Sequence, residues 1–303
     1  MGAPLPASDS AGQAVPVEPA APTPASESGL VPVAESAQAH QADTGSLPVA
    51  KTPRPPLDRS GVNRQKVAVV IPCKDESERI GATVLAARAI PHVDLVLVVD
   101  DGSLDDTQHI AREAGAVVVR HSHNRGKAAA METGAAVVAM RDAPGKPERL
   151  LLFLDGDLGM TAVNTAPLVT PVREGLADVA IALLPQSETA RNGVVVKAAQ
   201  RAITRMTGWT PTQPLSGSRC LTRVAFEAAT PLARGWGVEV GMIIDLLRAG
   251  FVAVEVPCDL HHRASTNDWA GKQHRAAQYR DVILAVNTRQ IRRGVQALNL
   301  GRN

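Results

Sequence analysis

Aromatic side chains are scarce in this sequence: its 303 residues include three Trp, three Phe and one Tyr, and none of them precedes Phe153. Proteins that bind single-stranded nucleic acids stack bases on aromatic side chains, so that class is not expected. A large excess of one charge is also lacking, because the formal net charge is only +2. General nucleic-acid binders carry a strong positive excess. We therefore expect no nucleic-acid partner.

Cysteine and long apolar runs are few as well. Cys73, Cys220 and Cys258 lie far apart without a CxxC spacing, which excludes a disulfide framework and a structural zinc site. The longest apolar runs are the length of strands, well short of the roughly 18–20 residues of a membrane span. We expect a cytoplasmic protein without a transmembrane segment, and peripheral association with the inner face of the membrane is the alternative.

The first 64 residues differ in composition from the rest. Residues 1–60 contain 11 of the 22 prolines and no aromatic residue. Such a segment cannot bury enough apolar surface to offset the entropy lost on ordering. We expect a disordered Pro/Ala/Ser-rich tail over 1–64 and one folded domain over 65–300. Within that domain, 65–160 would be a nucleotide-binding half and 161–300 an acceptor half ending in a basic helix.

Strand and helix patterns alternate from Gln65 onward. Apolar runs predict strands at 67–72, 95–99, 116–120 and 150–154, and helical spacing predicts helices at 76–90, 105–115 and 127–141. This alternation is typical of an open, mostly parallel α/β sheet with helices on both faces. In the second half we expect strands at 178–184 and 251–256, helices at 194–207, 238–249 and 271–298, and a loop at 211–219.

Polar residues follow the first two predicted strands. Because ligands of open α/β sheets bind beyond the carboxyl ends of the strands, these residues are candidates for a site. The first strand leads into PCKDE at 72–76, which opens a helix whose N–H groups favour anions. The second leads into Asp100 and Asp101, whose carboxylates can accept hydrogen bonds from a nucleobase or a ribose. A helix capping box with surplus acid is the structural alternative.

Polar residues also follow the third and fourth predicted strands. NRGK at 124–127 places Lys127 beside a glycine at a helix start, an arrangement that contacts phosphate. We expect the nearby His121 and His123 to be surface residues. DGD at 155–157 places Asp155 and Asp157 on one side of an extended segment, where they suit Mg²⁺ or Mn²⁺. Together the four strand ends predict a site for a nucleoside diphosphate that carries a leaving group.

These motifs resemble a known family. VAVVIPCKDESERI, VLVVDDGSLDDT, NRGKAAAMETGA and LLFLDGDLG are similar to the nucleotide-binding motifs of family 2-type glycosyltransferases with the GT-A fold. PLSGSRCLTR, GWGVEVGMIIDLLRAG and VEVPCDLHHRAS resemble the acceptor-side motifs of actinobacterial glucosyl-3-phosphoglycerate synthases. The similarity extends from about Val67 to about Arg280. It implies a metal-dependent hexosyltransferase that moves glucose from a nucleotide diphosphate sugar, such as UDP-glucose, to a hydroxyl acceptor.

The resemblance also implies roles for individual residues. The Mg²⁺ or Mn²⁺ ion would be held by Asp157, as the direct ligand, with His262 and Asp155. Glu239 and Asp157 would be catalytic, with Glu239 facing the sugar or the acceptor hydroxyl. The nucleotide sugar would be bound by Pro72, Cys73, Lys74, Glu76, Asp101, Lys127, Asp155, Leu215, Ser216 and Gly217.

One departure concerns the acceptor. Members that use phosphoglycerate carry a Gly-Arg-Val-Thr stretch whose Arg and Thr hold the acceptor phosphate, whereas this chain has GVVV at 193–196. Valine cannot bind a dianionic phosphate. Arg191, Asn192 and Lys197 are near enough in sequence to replace the missing side chains. We therefore expect an altered acceptor site that takes a small molecule or a lipid phosphate.

Two other functions stay open at this point. A polyprenyl-phosphate glycosyltransferase similar to dolichyl-phosphate mannose synthase would use the basic final helix at the membrane surface. A non-catalytic nucleotide-sugar-binding protein is the other alternative, although Asp155, Asp157 and His262 are all present. Most family 2 members invert configuration and need a base, for which Glu239 is the candidate, but the nearer resemblance favours retention. A homodimer is compatible with the sequence.

A chain that begins at Gln65 should keep full transfer activity, because the composition of the tail does not allow it to join a folded site. Turnover of the full-length and truncated chains, measured at equal donor and metal concentrations, checks this expectation. A truncated chain that folds but is inactive would place the tail in the site.

Overall fold

The computed structural model describes residues 65–185, 193–262 and 269–300, all of which belong to one compact unit. The expected tail at 1–64 lies outside the described residues, so its boundary stays a prediction. In the last helix, side chains are described for residues 276–291.

The described strands form one seven-stranded sheet in the order β3-β2-β1-β4-β6-β5-β7. β6 runs antiparallel to both of its neighbours, and the other paired strands are parallel. This confirms the expected open, mostly parallel α/β sheet. The strands are β1 Val67–Cys73, β2 Val93–Asp100, β3 Val117–Arg120, β4 Leu150–Phe153, β5 Val179–Leu183, β6 Arg219–Leu221 and β7 Ala253–Pro257.

Helices cover both faces of the sheet. Short 3₁₀ segments span Gly159–Leu168 and Gly235–Gly237. Within the described ranges, no helix combines the length and the apolar character that crossing a membrane requires. The α-helices are α1 Ile80–Arg88, α2 Thr107–Glu113, α3 Lys127–Met140, α4 Val169–Arg173, α5 Val194–Thr207, α6 Arg223–Ala229, α7 Val238–Arg248 and α8 Trp269–Leu300.

Most expected elements are present, and the differences lie in short ones. α1 begins at Ile80 rather than at residue 76, because the preceding residues form a turn in which the Glu76 carbonyl accepts from the backbone N–H groups of Arg79 and Ile80. Five elements were not predicted: β6, the 3₁₀ segments at Gly159–Leu168 and Gly235–Gly237, α4 and α6. Four of these are seven residues or shorter, too short for a hydrophobic period to develop.

The core consists of two layers, one on each face of the sheet. Alternate β1 residues point to opposite faces, so Ala68 and Val70 belong to the α3 layer whereas Val69 and Ile71 belong to the α1 layer. All four side chains are fully buried. Because both layers close over the strands, the carboxyl ends of the strands are where a ligand can approach the sheet.

A glycine in α3 sets the distance between this helix and β1. A Cβ atom at Gly134 would lie 2.4 Å from Cγ1 of Val70 and 3.3 Å from Cγ2 of Val99. The helix therefore packs closer to the sheet than an alanine would permit. This contact also fixes the first residue of the helix, Lys127, near the end of β1.

Gly134→Ala should destabilise the protein by a net amount of about 1–2 kcal/mol. The added methyl group would lie 2.4 Å from Val70, so its cost falls in the upper part of the roughly 1–3 kcal/mol typical of overpacking. The better helix propensity of alanine returns about 1 kcal/mol. Urea unfolding measures the difference. Ala136→Val, an enlargement at an exposed position of the same helix, is the control and should cost less than about 0.7 kcal/mol. A Gly134→Ala variant as stable as the parent would contradict the proposed contact.

Candidate active site

A cavity of about 580 Å³ lies at the carboxyl ends of β1, β2 and β4. All thirteen predicted site residues line it: Pro72, Cys73, Lys74, Glu76, Asp101, Lys127, Asp155, Asp157, Leu215, Ser216, Gly217, Glu239 and His262. The structure therefore brings the predicted residues together, while their roles stay predictions. Sequence reasoning assigned no role to six further residues of the lining: Ala130, Leu184, Gln213, Pro214, Trp236 and Gln278.

The loops after β1 and β2 are bound to each other at the floor of the cavity. The backbone N–H of Asp75 donates to Ser103 Oγ at 2.9 Å, and that of Glu76 donates to Thr107 Oγ1 at 2.8 Å. Asp75 pairs with Lys74 and accepts from the backbone N–H of Leu104. These bonds fix the backbone of the PCKDE segment.

Cys73 contributes surface to the cavity rather than a nucleophile. Its side chain is almost completely buried. Burial raises the pKa of the thiol far above its usual range, and the carboxylate of Asp100 adds to the effect. Since the thiolate is the nucleophilic form, this cysteine is inert at neutral pH.

Asp101 holds the loop that leads into α3. Its Oδ1 accepts from the Arg125 backbone N–H at 2.8 Å and its Oδ2 from that of Gly126 at 2.7 Å. Nδ1 of His121 lies 2.7 Å from Oδ1. Burial acts to raise the pKa of Asp101, but the hydrogen bonds outweigh it and hold the pKa below the usual value. These three bonds use most of the roughly four acceptor positions of a carboxylate.

The expectation for His121 was wrong. Its side chain is buried, with one ring nitrogen on Asp101 and Nε2 3.0 Å from Thr133 Oγ1. The apolar pattern around His121 did not indicate that its side chain is buried, because the partner carboxylate, Asp101, follows a different strand. His123 is exposed, as expected.

An ion cluster occupies the centre of the cavity. Nζ of Lys127, the first residue of α3, lies 2.8 Å from Oδ1 of Asp155 and 2.9 Å from Oε1 of Glu239. Burial acts to lower the pKa of Lys127, but Asp155 and Glu239 outweigh it and hold the pKa above the usual value. Conversely, Lys127 keeps the pKa of Asp155 below its usual value against the effect of burial. Lys127 and Asp155 are therefore held in their charged forms.

Arg219 is a buried second cation that sequence reasoning missed. Its side chain is fully buried in β6, and it donates to the Ser216 carbonyl and contacts Sδ of Met242 at 3.5 Å. Burial lowers the pKa of Arg219, and the charges of Glu239 and Asp155 oppose this. A buried charge is tolerated when opposite charges compensate it. The only sequence signal was one arginine between small and apolar residues.

The loop over the ion cluster needs glycine at one position. A Cβ atom at Gly217 would lie 2.5 Å from Asp155 Oδ2 and 2.7 Å from Lys127 Nζ. The backbone can therefore lie directly against the ion pair. Arg219 fixes this loop from below through the Ser216 carbonyl.

A carboxylate and an imidazole form a second polar group in the cavity. Oδ1 of Asp157 lies 3.0 Å from Nδ1 of His262. The hydrogen bond to Asp157 raises the pKa of His262, burial opposes it, and Asp155 adds to the rise. His261 is more exposed, and its Nε2 lies 3.8 Å from Asp259. His262 thus lines the cavity and its neighbour does not.

The three predicted metal ligands do not form one cluster. Asp155 is turned to Lys127, while Asp157 contacts His262. Over the part of the chain that the structure describes, no group of three or more His, Cys, Asp or Glu side chains has the geometry of a metal site. The chemistry of the remaining pair still fits a divalent cation, because Mn²⁺ and Mg²⁺ bind a few protein side chains and complete their shells with ligand oxygens.

The part of the cavity predicted to face the acceptor is partly apolar. Val196 lines it together with Leu184 and Trp236. Lys197 lines a different cavity, and Arg191 and Asn192 lie outside the described residues. The suggestion that Lys197 replaces a missing phosphate ligand is therefore not supported by its position.

One arginine of the basic final helix is buried rather than exposed. Arg289 is buried and donates to both carboxylate oxygens of Asp245. Arg280 is exposed and pairs with Asp281.

Curated proteins similar to this chain include two glycosyltransferases. Glycosyltransferase AglJ of Haloferax volcanii is 30% identical over 206 residues, which cover 67% of this chain and 65% of AglJ. Glucosyl-3-phosphoglycerate synthase of Mycolicibacterium paratuberculosis is 27% identical over 210 residues, which cover 62% of each protein. The chain thus spans less than two thirds of the length of these relatives.

Solved structures with the same fold include glucosyl-3-phosphoglycerate synthase of Mycobacterium tuberculosis. The complex of that enzyme with Mn²⁺, UDP-glucose and phosphoglyceric acid has a TM-score of 0.61 and 24% identity, covering 80% of this chain and 88% of the other. Its complex with Mg²⁺ and UDP has a TM-score of 0.60 and 23% identity, covering 80% and 86%.

The match to a family model covers the predicted nucleotide-binding half and the start of the predicted acceptor half. Residues 68–213 match the model of Glycosyl transferase family 2. The matched range contains the ends of β1, β2 and β4, at which the cavity lies, and the lining residues from Pro214 onward follow it. Over residues 68–213 the chain is therefore similar to glycosyl transferase family 2, and its sheet has the GT-A fold.

Proposed function

We propose that this protein is a divalent-metal-dependent hexosyltransferase. It moves glucose from a nucleotide diphosphate sugar, UDP-glucose, to a hydroxyl group of an acceptor. The observation that carries the proposal is one cavity in which the Lys127–Asp155–Glu239 cluster and the Asp157–His262 pair both lie.

The charge on the leaving group gives Lys127 its role. Negative charge builds up on the nucleoside diphosphate as the glycosidic bond breaks, and fixed cations stabilise it. An ammonium group has three protons to donate. Asp155 and Glu239 accept two of them. The third proton of the ammonium group is directed to a phosphate oxygen of the donor sugar nucleotide, and the two carboxylates keep the ammonium group in place.

Asp157 and His262 would hold the metal ion, and Mg²⁺ or Mn²⁺ there would neutralise charge on the diphosphate. Two protein ligands leave room for phosphate oxygens in the shell of a hard divalent cation. The similar enzyme of Mycobacterium tuberculosis was crystallised with Mn²⁺ or Mg²⁺ together with UDP, which supports the proposal. Asp155 would act on the ion only indirectly, because it orients Lys127.

Glu239 is placed to orient rather than to accept a proton. Its carboxylate is buried and paired with Lys127 at 2.9 Å. Taking a proton from the acceptor would break this ion pair and leave Lys127 with Asp155 as its one carboxylate partner among the described residues, a loss of charge compensation that is costly inside the cavity. We therefore propose that the reaction retains the configuration of the sugar. Glu239 would fix Lys127 and the acceptor hydroxyl, and the proton of that hydroxyl would leave on the departing diphosphate.

A second candidate acceptor is favoured by the cavity wall. Leu184, Val196 and Trp236 present apolar surface, which suits an acceptor with an apolar portion such as a polyprenyl phosphate. A cytoplasmic location and a homodimer belong to the same proposal.

The proposal is tested by screening nucleotide sugars for thermal stabilisation in the presence of Mn²⁺. A ligand at a hundredfold its Kd adds about 2.7 kcal/mol to the stability of the folded state. Hydrolysis of the stabilising donor, measured with and without Mn²⁺, separates an enzyme from a binding protein. The anomeric coupling of the first product in NMR decides between retention and inversion. If no nucleotide sugar stabilises the protein, the proposed function is wrong.

Gly217→Ala should lower the rate of donor hydrolysis at least tenfold, because the added methyl group would separate Lys127 from Asp155. Initial rates at saturating donor measure the loss. Ser218→Ala is the matched control: it removes a buried hydroxyl for which the described residues provide no hydrogen-bond partner, so rate and melting temperature should change little. Equal rates in both variants would contradict a catalytic role for the ion cluster.

His262→Ala should raise the Mn²⁺ concentration for half-maximal activity at least tenfold, since it deletes a ligand at the cavity wall. His261→Ala, at the neighbouring exposed position, should leave it within about twofold, the range of a surface change. Mn²⁺ binding in the presence of UDP, followed by electron paramagnetic resonance, gives an independent measurement. Similar behaviour of the two variants would show that the assignment of the ligand is wrong.

A further inference from the structure

Helix α5 carries a row of cations outside the cavity. Lys197, Arg201 and Arg205 are spaced by four residues, so they lie on one side of the helix and span about 12 Å along its axis. All three are exposed. With Gln200, Thr204 and Thr210 they line a shallow cavity of about 420 Å³. We call the residues Lys197, Gln200, Arg201, Thr204 and Arg205 the α5 basic face.

The charges of this face are not balanced within the described part of the chain. No described carboxylate lies within ion-pair distance of Lys197, Arg201 or Arg205. Helices α7 and α8 pack against α5. The acidic groups of α7 have other partners, because Glu239 pairs with Lys127 and Asp245 with Arg289. The positive surface therefore lies on α5 and not at Arg280 or Arg289 of the final helix, which are paired.

The α5 basic face begins beside the acceptor end of the active-site cavity. Val196 lines that cavity, and the next residue, Lys197, belongs to the face. Val194, at the start of the same helix, is 76% exposed. A surface that contacted the face would thus lie close to the route by which an acceptor enters.

We propose that the α5 basic face docks the protein on a bilayer that contains anionic phospholipid headgroups. The contact is electrostatic rather than inserted, because the apolar side of α5, with Ala199, Ala202 and Ile203, is buried in the core. The proposal goes beyond the proposed function and does not depend on which donor is used. It places the acceptor end of the cavity next to the membrane surface.

Other partners fit the face less well. A nucleic-acid surface would need stacking aromatic side chains or a large positive excess. The residues that line the face include no aromatic residue, and the net charge of the chain is +2. A protein partner would need a buried apolar or aromatic anchor at its centre, and the face consists of Lys, Arg, Gln and Thr. A charged planar surface requires only the cations.

Co-sedimentation of the full chain with vesicles tests the proposal. Each cation near an anionic surface contributes about 1 kcal/mol. The protein should therefore bind phosphatidylglycerol–phosphatidylcholine vesicles on the order of a hundredfold more tightly than pure phosphatidylcholine vesicles. Raising the salt concentration should weaken this binding, because exposed charges are screened.

Two triple variants locate the surface. Lys197→Gln/Arg201→Gln/Arg205→Gln should lose most of the preference for anionic vesicles and keep its melting temperature and its stabilisation by nucleotide sugars. Arg112→Gln/Arg141→Gln/Lys146→Gln changes the net charge equally at exposed positions elsewhere, and it should bind vesicles as the parent does.

Three outcomes would overturn the proposal. They are equal binding to anionic and neutral vesicles, equal behaviour of the two triple variants, and competition by a short RNA duplex at an affinity equal to that for the vesicles. Vesicle binding is measured without donor, and donor binding is measured without vesicles. Failure of this proposal is therefore distinguishable from failure of the proposed function.

Discussion

The ion cluster around Lys127 is the interaction on which the site depends. One ammonium group joins the start of α3, the second residue after β4 and the first turn of α7. Removing that cation would leave two carboxylates close together in a partly buried cavity, a costly arrangement. Because Gly134 has no side chain, α3 packs close to the sheet. Because Gly217 has none, the backbone of its loop lies directly against the cluster. The halves predicted as nucleotide-binding and acceptor parts thus meet in one charged contact.

The acidic residues at the strand ends have three different tasks. Asp101 binds backbone N–H groups and a buried histidine, so it builds the loop before α3. Asp155 neutralises Lys127, and Asp157 contacts His262. All three residues are aspartates, and the role of each follows from the hydrogen-bond donor that the fold places nearest to its carboxylate. Only the last of the three is placed to hold a metal ion under the proposed function.

The predicted acceptor side differs in character from the predicted donor side. The donor side is built from charged groups fixed by hydrogen bonds, whereas the acceptor side combines apolar walls with an unbalanced cationic helix face next to them. Under the proposals above, these two features agree with an acceptor that has an apolar part and approaches from an anionic surface. In the part of the final helix whose side chains the structure describes, Arg280 and Arg289 are neutralised by nearby carboxylates.

The α/β sheet and the residues that gather at the ends of its strands could be predicted from local pattern alone. Buried parallel strands are continuous apolar runs, and the residues after them must meet at one edge. The pairing of side chains, in contrast, follows from the packing of distant elements. Arg219 in a three-residue strand, the burial of His121 and Arg289, and the separation of Asp155 from Asp157 and His262 could not be predicted. His262 lies 105 residues from Asp157, and Arg289 lies 44 from Asp245. Such pairings depend on how distant elements pack, because an ionic side chain takes whichever partner the fold brings within reach.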